Sequence, residues 1–339
     1  TASTNIGSSN SPNRYYNGYL AEVNYVDGTA LTPATFGLTD TSTGRWIPKS
    51  LTGITYGTNG FRLEFANSAG QTIGDDTSGN GNDFTVTNLA TTDIVTDTPT
   101  DLYPTLRDFQ TSYAGTYSQG NLRIDGGTNS QTSVGRSTLT FDAEDSTGYY
   151  WEVKNIENNG FGQNWNGYGM FGVDADNSTP SSGNLKPASG SHVTYRESGN
   201  ISVKLGSGAE FDGGTAYFPK TGNNSSLPSG GDTIGVAVKG GKVWFAKNGN
   251  WINPKQGHPG LDGTPAANNV TGRFRAVCMC YHSTSAQEIN FGQRLTLGGT
   301  STSDYSANNG GRFVYNPPVG FRALKQDNLS ETTLSIPDL

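Results

Sequence analysis

Apolar residues two positions apart recur along this chain, interrupted by short runs of Gly, Asn, Asp and Ser. The clearest case is residues 232–252, DTIGVAVKGGKVWFAKNGNWI. Ile234, Val236 and Val238 alternate with small residues, as in a strand that buries one face. Gly240 and Gly241 supply a turn, because glycine reaches positive φ without a Cβ penalty. The chain returns through Val243, Trp244, Phe245 and Ala246, then turns again at Asn248-Gly249. This pattern predicts an antiparallel meander, and no helical period competes with it. The predicted fold class is all-β.

Upstream, residues 15–26 (YYNGYLAEVNYV) place Tyr19, Ala21, Val23 and Tyr25 on one face, and Asp27-Gly28 ends the run as a turn. Thr32 is placed to cap one short helical turn that has Pro33 at its first position. Short strands are expected at 45–48, 61–65 and 84–86. Residues 91–104 (TTDIVTDTPTDLYP) have the composition of a linker, which puts a domain boundary at 104. Beyond it, residues 148–156 (GYYWEVKNI) carry Tyr149, Trp151 and Val153 on one face and Tyr150, Glu152 and Lys154 on the other. The glycine-spaced residues 168–173 (YGMFGV) suit close sheet packing or a bulge. Further strands are expected at 139–141, 192–196, 201–205, 274–281, 288–291 and 320–324. So many short strands predict a two-sheet sandwich over residues 105–330, with 331–339 as a tail.

Composition narrows the function classes. Charged residues are only 15% of the 339 and aromatic residues reach 11%, which opposes disorder. A net charge of −7 without clustered Lys or Arg excludes a basic nucleic-acid footprint. No apolar run approaches the roughly 20 residues a bilayer-spanning helix needs, so no membrane insertion is expected. Cys278 and Cys280, two apart on one strand, share a face and read as buried free thiols, since a mutual bridge would distort an extended backbone.

Three kinds of candidate chemistry remain. Glycosidase-like carboxylate pairs must flank one bond about 5–5.5 Å apart. Glu152 with Glu157 fall on opposite strand faces, and Asp142, Glu144 and Asp145 lie in a turn, so both groups read as solvated charge. His192, His258 and His282 lack a nucleophile elbow or zinc spacing. The chain is therefore expected to be non-catalytic. Residues 73–84 (IGDDTSGNGNDF) concentrate oxygen donors at Asp75, Asp76, Asn80 and Asp83, as Ca²⁺ prefers, although the same residue types are ordinary turn formers. Aromatic rings beside amides suit sugar binding. Trp165, Asn166 and Tyr168 form one candidate group, and Trp251 with Asn250 forms another. The alternative is that these rings cap the ends of the core.

GYYWEV, YGMFGV, DTIGVAV with KVWFAKNGNW, INFGQR and PPVGFRAL occur in an order that resembles a SPRY domain over residues 105–330. The resemblance implies a concanavalin-like sandwich that binds partners without chemistry, through end loops 157–167, 176–191 and 206–231. NGYLAEVNYVDGTALTPATFG, GRWIPK, YGTNGFRLEF and GDDTSGNGNDFTVTNL resemble the closing part of a laminin-G-like, concanavalin-type lectin domain whose earlier strands are missing. This implies a first sandwich that is incomplete over residues 1–104. The pairing is similar to bacteriophage tail-fibre and capsid-fibre proteins. The implied location is the virion surface, after synthesis in a bacterial cytoplasm. The implied partners are a host-surface glycan or protein, other copies of the chain, or other virion proteins. A purely structural fibre subunit is the competing expectation.

Overall fold

A computed structural model of the chain describes residues 4–8, 15–16, 20–39, 46–49, 51–65, 72–90, 93–94, 102–107, 115–127, 132–157, 166–178, 180, 185–196, 201–213, 228, 230–252, 265–281, 283–305 and 311–329. Two sheets dominate, each of eight strands, and the fold class is all-β. Sheet A runs, in spatial order, Asn250–Ile252, Lys242–Lys247, Thr233–Lys239, Gly148–Glu157, Ala286–Asn290, Arg123–Asp125 and Thr116–Ser118. Phe321–Ala323 joins it as a parallel partner of Gly148, Tyr149 and Tyr150. Sheet B runs Phe211–Gly213, Ile201–Lys204, His192–Arg196, Asn166–Gly172, Arg273–Cys280, Ser133–Ser137 and Leu106–Arg107, with Phe141–Asp142 also paired to Arg273–Cys280.

The predicted meander is present. Thr233–Lys239 pairs antiparallel with Lys242–Lys247, which pairs with Asn250–Ile252. Gly240 and Gly241 hold φ of 55° and 73° in the first turn. Strand alternation then decides what meets between the sheets. Tyr149 and Trp151 point inward from sheet A, and both rings lie 5.6 Å from Phe141 of sheet B. Phe245 likewise meets Tyr195 at 5.5 Å. Cys278 and Cys280 form no disulfide, are buried and lie on this inner side with Phe274 and Ala276, and burial pushes the Cys278 thiol up.

Neither outer face is bare. Sheet B places Phe171, Val277, Met279 and Val134 outward, where Ala175 and Leu185 from the following loop cover them. Gly167 faces the same layer, and a Cβ there would sit 2.6 Å from the Met279 methyl. The glycine spacing in this strand therefore serves close packing. Arg136 is buried beside them, its guanidinium 5.4 Å from the Phe171 ring and bonded to the Ser178 carbonyl at 3.1 Å.

The first hundred residues form smaller pieces. Val23–Tyr25 pairs with Phe61–Leu63, and Gly37–Thr39 pairs with Trp46–Pro48. Tyr25, Phe61 and Phe84 make a ring stack above the first pair. Two expectations need correction. Thr32 occupies the N-cap of Pro33–Phe36, but its side chain makes no capping bond. Residues 84–86 form no strand; the Phe84 N–H instead donates to the Gly74 carbonyl, which closes the preceding loop.

Trp151 is fully buried between the sheets, whereas Trp46 on its two-stranded ribbon is 52% exposed. Replacing Trp151 by Ala should therefore cost about 3–5 kcal/mol in urea unfolding. Replacing Trp46 should change stability by less than about 1 kcal/mol. A loss below about 1 kcal/mol at Trp151 would mean that the inner face of sheet A is wrongly assigned.

Candidate functional site

The outer face of sheet A carries the most distinctive chemistry. Backbone register aligns Glu152, Gly235, Ala246 and Trp251 in one row across four strands. The two small residues leave a trough, and the Tyr150 ring lies in it. A Cβ on Gly235 would come within 2.7 Å of the Tyr150 hydroxyl. Trp251 flanks Tyr150 edge-on at 6.3 Å, and Phe313 packs on its other side at 4.9 Å.

Phe313 belongs to a strap, residues 311–317, that crosses the sheet. The strap is fastened at Glu152, which is fully buried. One carboxylate oxygen accepts the Val314 N–H at 2.8 Å. The other accepts the Tyr315 N–H at 2.8 Å and the Tyr150 hydroxyl at 3.1 Å. Asn290, across the adjacent strand, donates to the Arg312 carbonyl at 2.7 Å. Tyr315 then lies against the turn that leads into Trp251. A Cβ on Gly249 would fall 2.6 Å from its ring, so both the ring and a φ of 76° require glycine there.

Burial pushes the Glu152 carboxyl up from 4.5 to about 7, against the lowering effect of its bonds from Val314, Tyr315, Tyr150 and Asn290. The Tyr150 hydroxyl is also held well above its ordinary value, first by burial and then by Glu152. Reading Glu152 as solvated charge is thus overturned. Its strand position shows only which face it takes, not that a strap some 160 residues downstream covers that face.

Among the expected ligand residues, Trp251 is half-buried on this face, whereas Asn250, exposed and one residue before it on the same strand, belongs to the opposite row with Lys247, Ile234 and Val153. Trp165 lies outside the described residues. Asn166 and Tyr168 are not exposed on a loop; both are buried in the Asn166–Gly172 strand. Tyr168 fills the core between the sheets, with its hydroxyl 2.8 Å from the Asn155 side-chain oxygen. That strand also separates the loops expected to act together. Residues before 166 leave from one end of the sandwich, whereas the segment between Gly172 and His192 leaves from the other. Tyr315 is not legible in the sequence as a site residue, because it lies on a segment with no strand periodicity to orient it.

The acidic loop closes on itself. Asp76 accepts the N–H groups of Arg62, Ser78 and Asn82 at 2.8–2.9 Å, together with the Ser78 hydroxyl. Burial pushes its carboxyl up, but these bonds outweigh that and hold it below its ordinary value. Asp75 accepts from Thr72, and Asp83 accepts the Asp76 N–H. Asn80 donates its amide to the carbonyls of Gly57 and Gly60. Among the described residues no group of three or more His, Cys, Asp or Glu is placed to hold a metal ion.

Catalytic groupings fare no better. His192 and Ser202 approach to 2.9 Å, but both are fully buried, and burial pushes the imidazole down to about 4. Asp142 and Asp145 cap their own turn, through the N–H groups of Glu144 and Thr147. His258 and His282 lie outside the described residues. An open cleft of about 490 Å³ lies at one end of sheet B, between Val173, Leu205, Gly206 and Phe274. Its carboxylate, Asp174, is already bonded to the N–H and hydroxyl of Ser191.

No family model matches the chain, and no curated protein matches it. Among solved structures, the SPRY domain of human HERC1 is similar at a TM-score of 0.33 and 18% identity, covering 50% of this chain and 87% of that one. The TRIM65 PSpry domain is similar at 0.30 and 11%, covering 55% and 88%. Likenesses at those scores carry no functional inference, and the fold class rests on the sheets themselves.

Because Glu152 is held near 7 when folded and near 4.5 when exposed, the folded state binds a proton that the unfolded state releases between those values. Its stabilising contribution is therefore complete below 4.5 and lost as the pH rises through about 7. Between about pH 5 and pH 8 the melting temperature of the native protein should fall relative to Glu152→Gln. Parallel melting curves for the two proteins would contradict the buried assignment.

Proposed function

We propose that this chain is a non-catalytic binding module that holds a glycan at the Trp251 face, and that it is displayed on a bacteriophage surface or fibre. One observation carries the binding reading. Trp251 is half-buried on the solid base of Tyr150, with half-buried Tyr315 over the adjoining turn. A partly exposed ring offers an apolar face to the C–H groups of a sugar, and a neighbouring phenol can bond its hydroxyls. A rigid base keeps the entropy cost of binding low. The phage setting rests on the sequence resemblance alone.

A second reading has its own support. Of the ten large apolar residues that stand exposed among the described residues, eight precede residue 90: Tyr15, Tyr16, Leu20, Tyr25, Leu31, Leu38, Trp46 and Leu89. Val23–Tyr25 is paired on one side only among the described residues. Such surface suits strand addition by another copy within a fibre.

A glycan array with the whole chain separates the two readings. Specific signals should appear, and Trp251→Ala should weaken them about tenfold or more while leaving the melting temperature within a few degrees of native. Blank arrays, together with concentration-dependent association in sedimentation, would replace the glycan reading with the fibre-subunit one.

A further inference from the structure

We propose that Glu152 is the positioning residue of the Trp251 face: its carboxylate seats residues 311–317 on sheet A, and that seating fixes Tyr315 beside the Trp251 turn. The inference rests on the reading of this face as a binding surface.

The geometry runs unbroken from the carboxylate to the ring. Two consecutive N–H groups, of Val314 and Tyr315, converge on the two oxygens of one side chain at 2.8 Å each. A bidentate contact of this kind sets the height of the strap and also the rotation of its backbone. The other anchors of the strap hold its first three residues. Arg312–Phe313 pairs with Ser303–Asp304, the Arg312 guanidinium reaches Asp304, Asn290 holds the Arg312 carbonyl, the Arg312 N–H reaches the Gly292 carbonyl at 2.8 Å, and Phe313 rests on Tyr150. Each of these acts before residue 314. Beyond it, the Tyr315 N–H bond is the contact that fixes where the ring leaves the backbone. The ring then meets Gly249, one residue before Asn250 and two before Trp251.

The same arrangement explains an acid at a fully buried position. A carboxylate, or its neutral acid, offers two acceptor oxygens to two N–H donors. Glutamine of the same shape offers one acceptor and turns an NH₂ donor toward the second N–H, which leaves a buried donor unmatched. Substitution to glutamine should therefore lift the strap at Tyr315 while Phe313 and the sheet beneath stay in place. The other titratable groups near Glu152 are Tyr150, Tyr305 and Tyr315, with the Lys247–Asp232 ion pair two strands away.

The test uses the whole chain labelled with 5-fluorotryptophan, with the Trp251 resonance assigned by Trp251→Phe. Binding is measured to maltohexaose, cellohexaose and chitohexaose. In Glu152→Gln the Trp251 resonance should shift or broaden, although Trp251 lies three strands away from residue 152, and cooperative melting should persist. Affinity for whichever oligosaccharide the native protein binds should fall about tenfold. Should Glu152→Gln fail to melt cooperatively, Tyr315→Leu, which removes the seated ring against Gly249 and leaves the Glu152 and Tyr150 side chains unchanged, should move the same resonance. A Trp251 resonance unmoved in a cooperatively folded variant overturns the proposal. If the native protein binds none of the three sugars, the carbohydrate reading loses support, and the fluorine signal still decides the seating of the strap.

Discussion

The strand Gly148–Glu157 is buried on both faces, and most of the molecule answers to that constraint. A strand at the edge of a fold can leave alternate side chains in water. Here Tyr149, Trp151 and Val153 need one cover, and Tyr150 and Glu152 need another. Sheet B supplies the first through Phe141. The C-terminal part of the chain supplies the second, as Phe313 packs on Tyr150 and the strap that carries Tyr315 is fastened to Glu152. A buried polar group under such a cover must be satisfied locally, or its desolvation cost stands unopposed. Glu152 meets that condition with bonds from two elements, so the least sequence-local part of the fold is fastened at its centre.

Sheet B solves the same problem differently. Its outer face mixes apolar Phe171, Val277 and Met279 with His192, Thr194 and Arg136, and a loop lies over part of it, with buried Arg136 bonded to a carbonyl of that loop. Among the described residues, the surfaces left for a partner include the Trp251 edge of sheet A, the cleft beyond the end of sheet B and the exposed rings of the first ninety residues. The Trp251 edge differs from the others in presenting aromatic rings on a base held by packing on both sides.

Much of this is legible in the sequence. The meander at 232–252, the two faces of residues 148–156 and the buried thiols follow from alternation and glycine placement, which are local properties. What is not legible depends on distant segments. Glu152 looks like surface charge because a covered and an uncovered sheet face have the same period. Tyr168 beside Asn and Gly looks like a loop ring, yet glycines in this strand serve close packing, so Tyr168 faces the core. Thr32 has the residue type of a cap without its bond, and Phe84 gives its N–H to the acidic loop rather than to a ladder. Asp76 shows the same limit from the other side: a donor-rich loop has the composition of an ion site whether its oxygens face a cation or its own N–H groups.

The central claim is that the strap is an integral layer of the sandwich, seated by a buried carboxylate. Native-state amide hydrogen exchange on the whole chain tests it most directly. The account predicts that the N–H groups of Val314 and Tyr315 exchange about as slowly as those of Trp151 and Val153, and far more slowly than that of exposed Ser207 at the open cleft. Exchange at Val314 and Tyr315 as fast as at Ser207 would show that the strap opens independently of the sheets, and would contradict it.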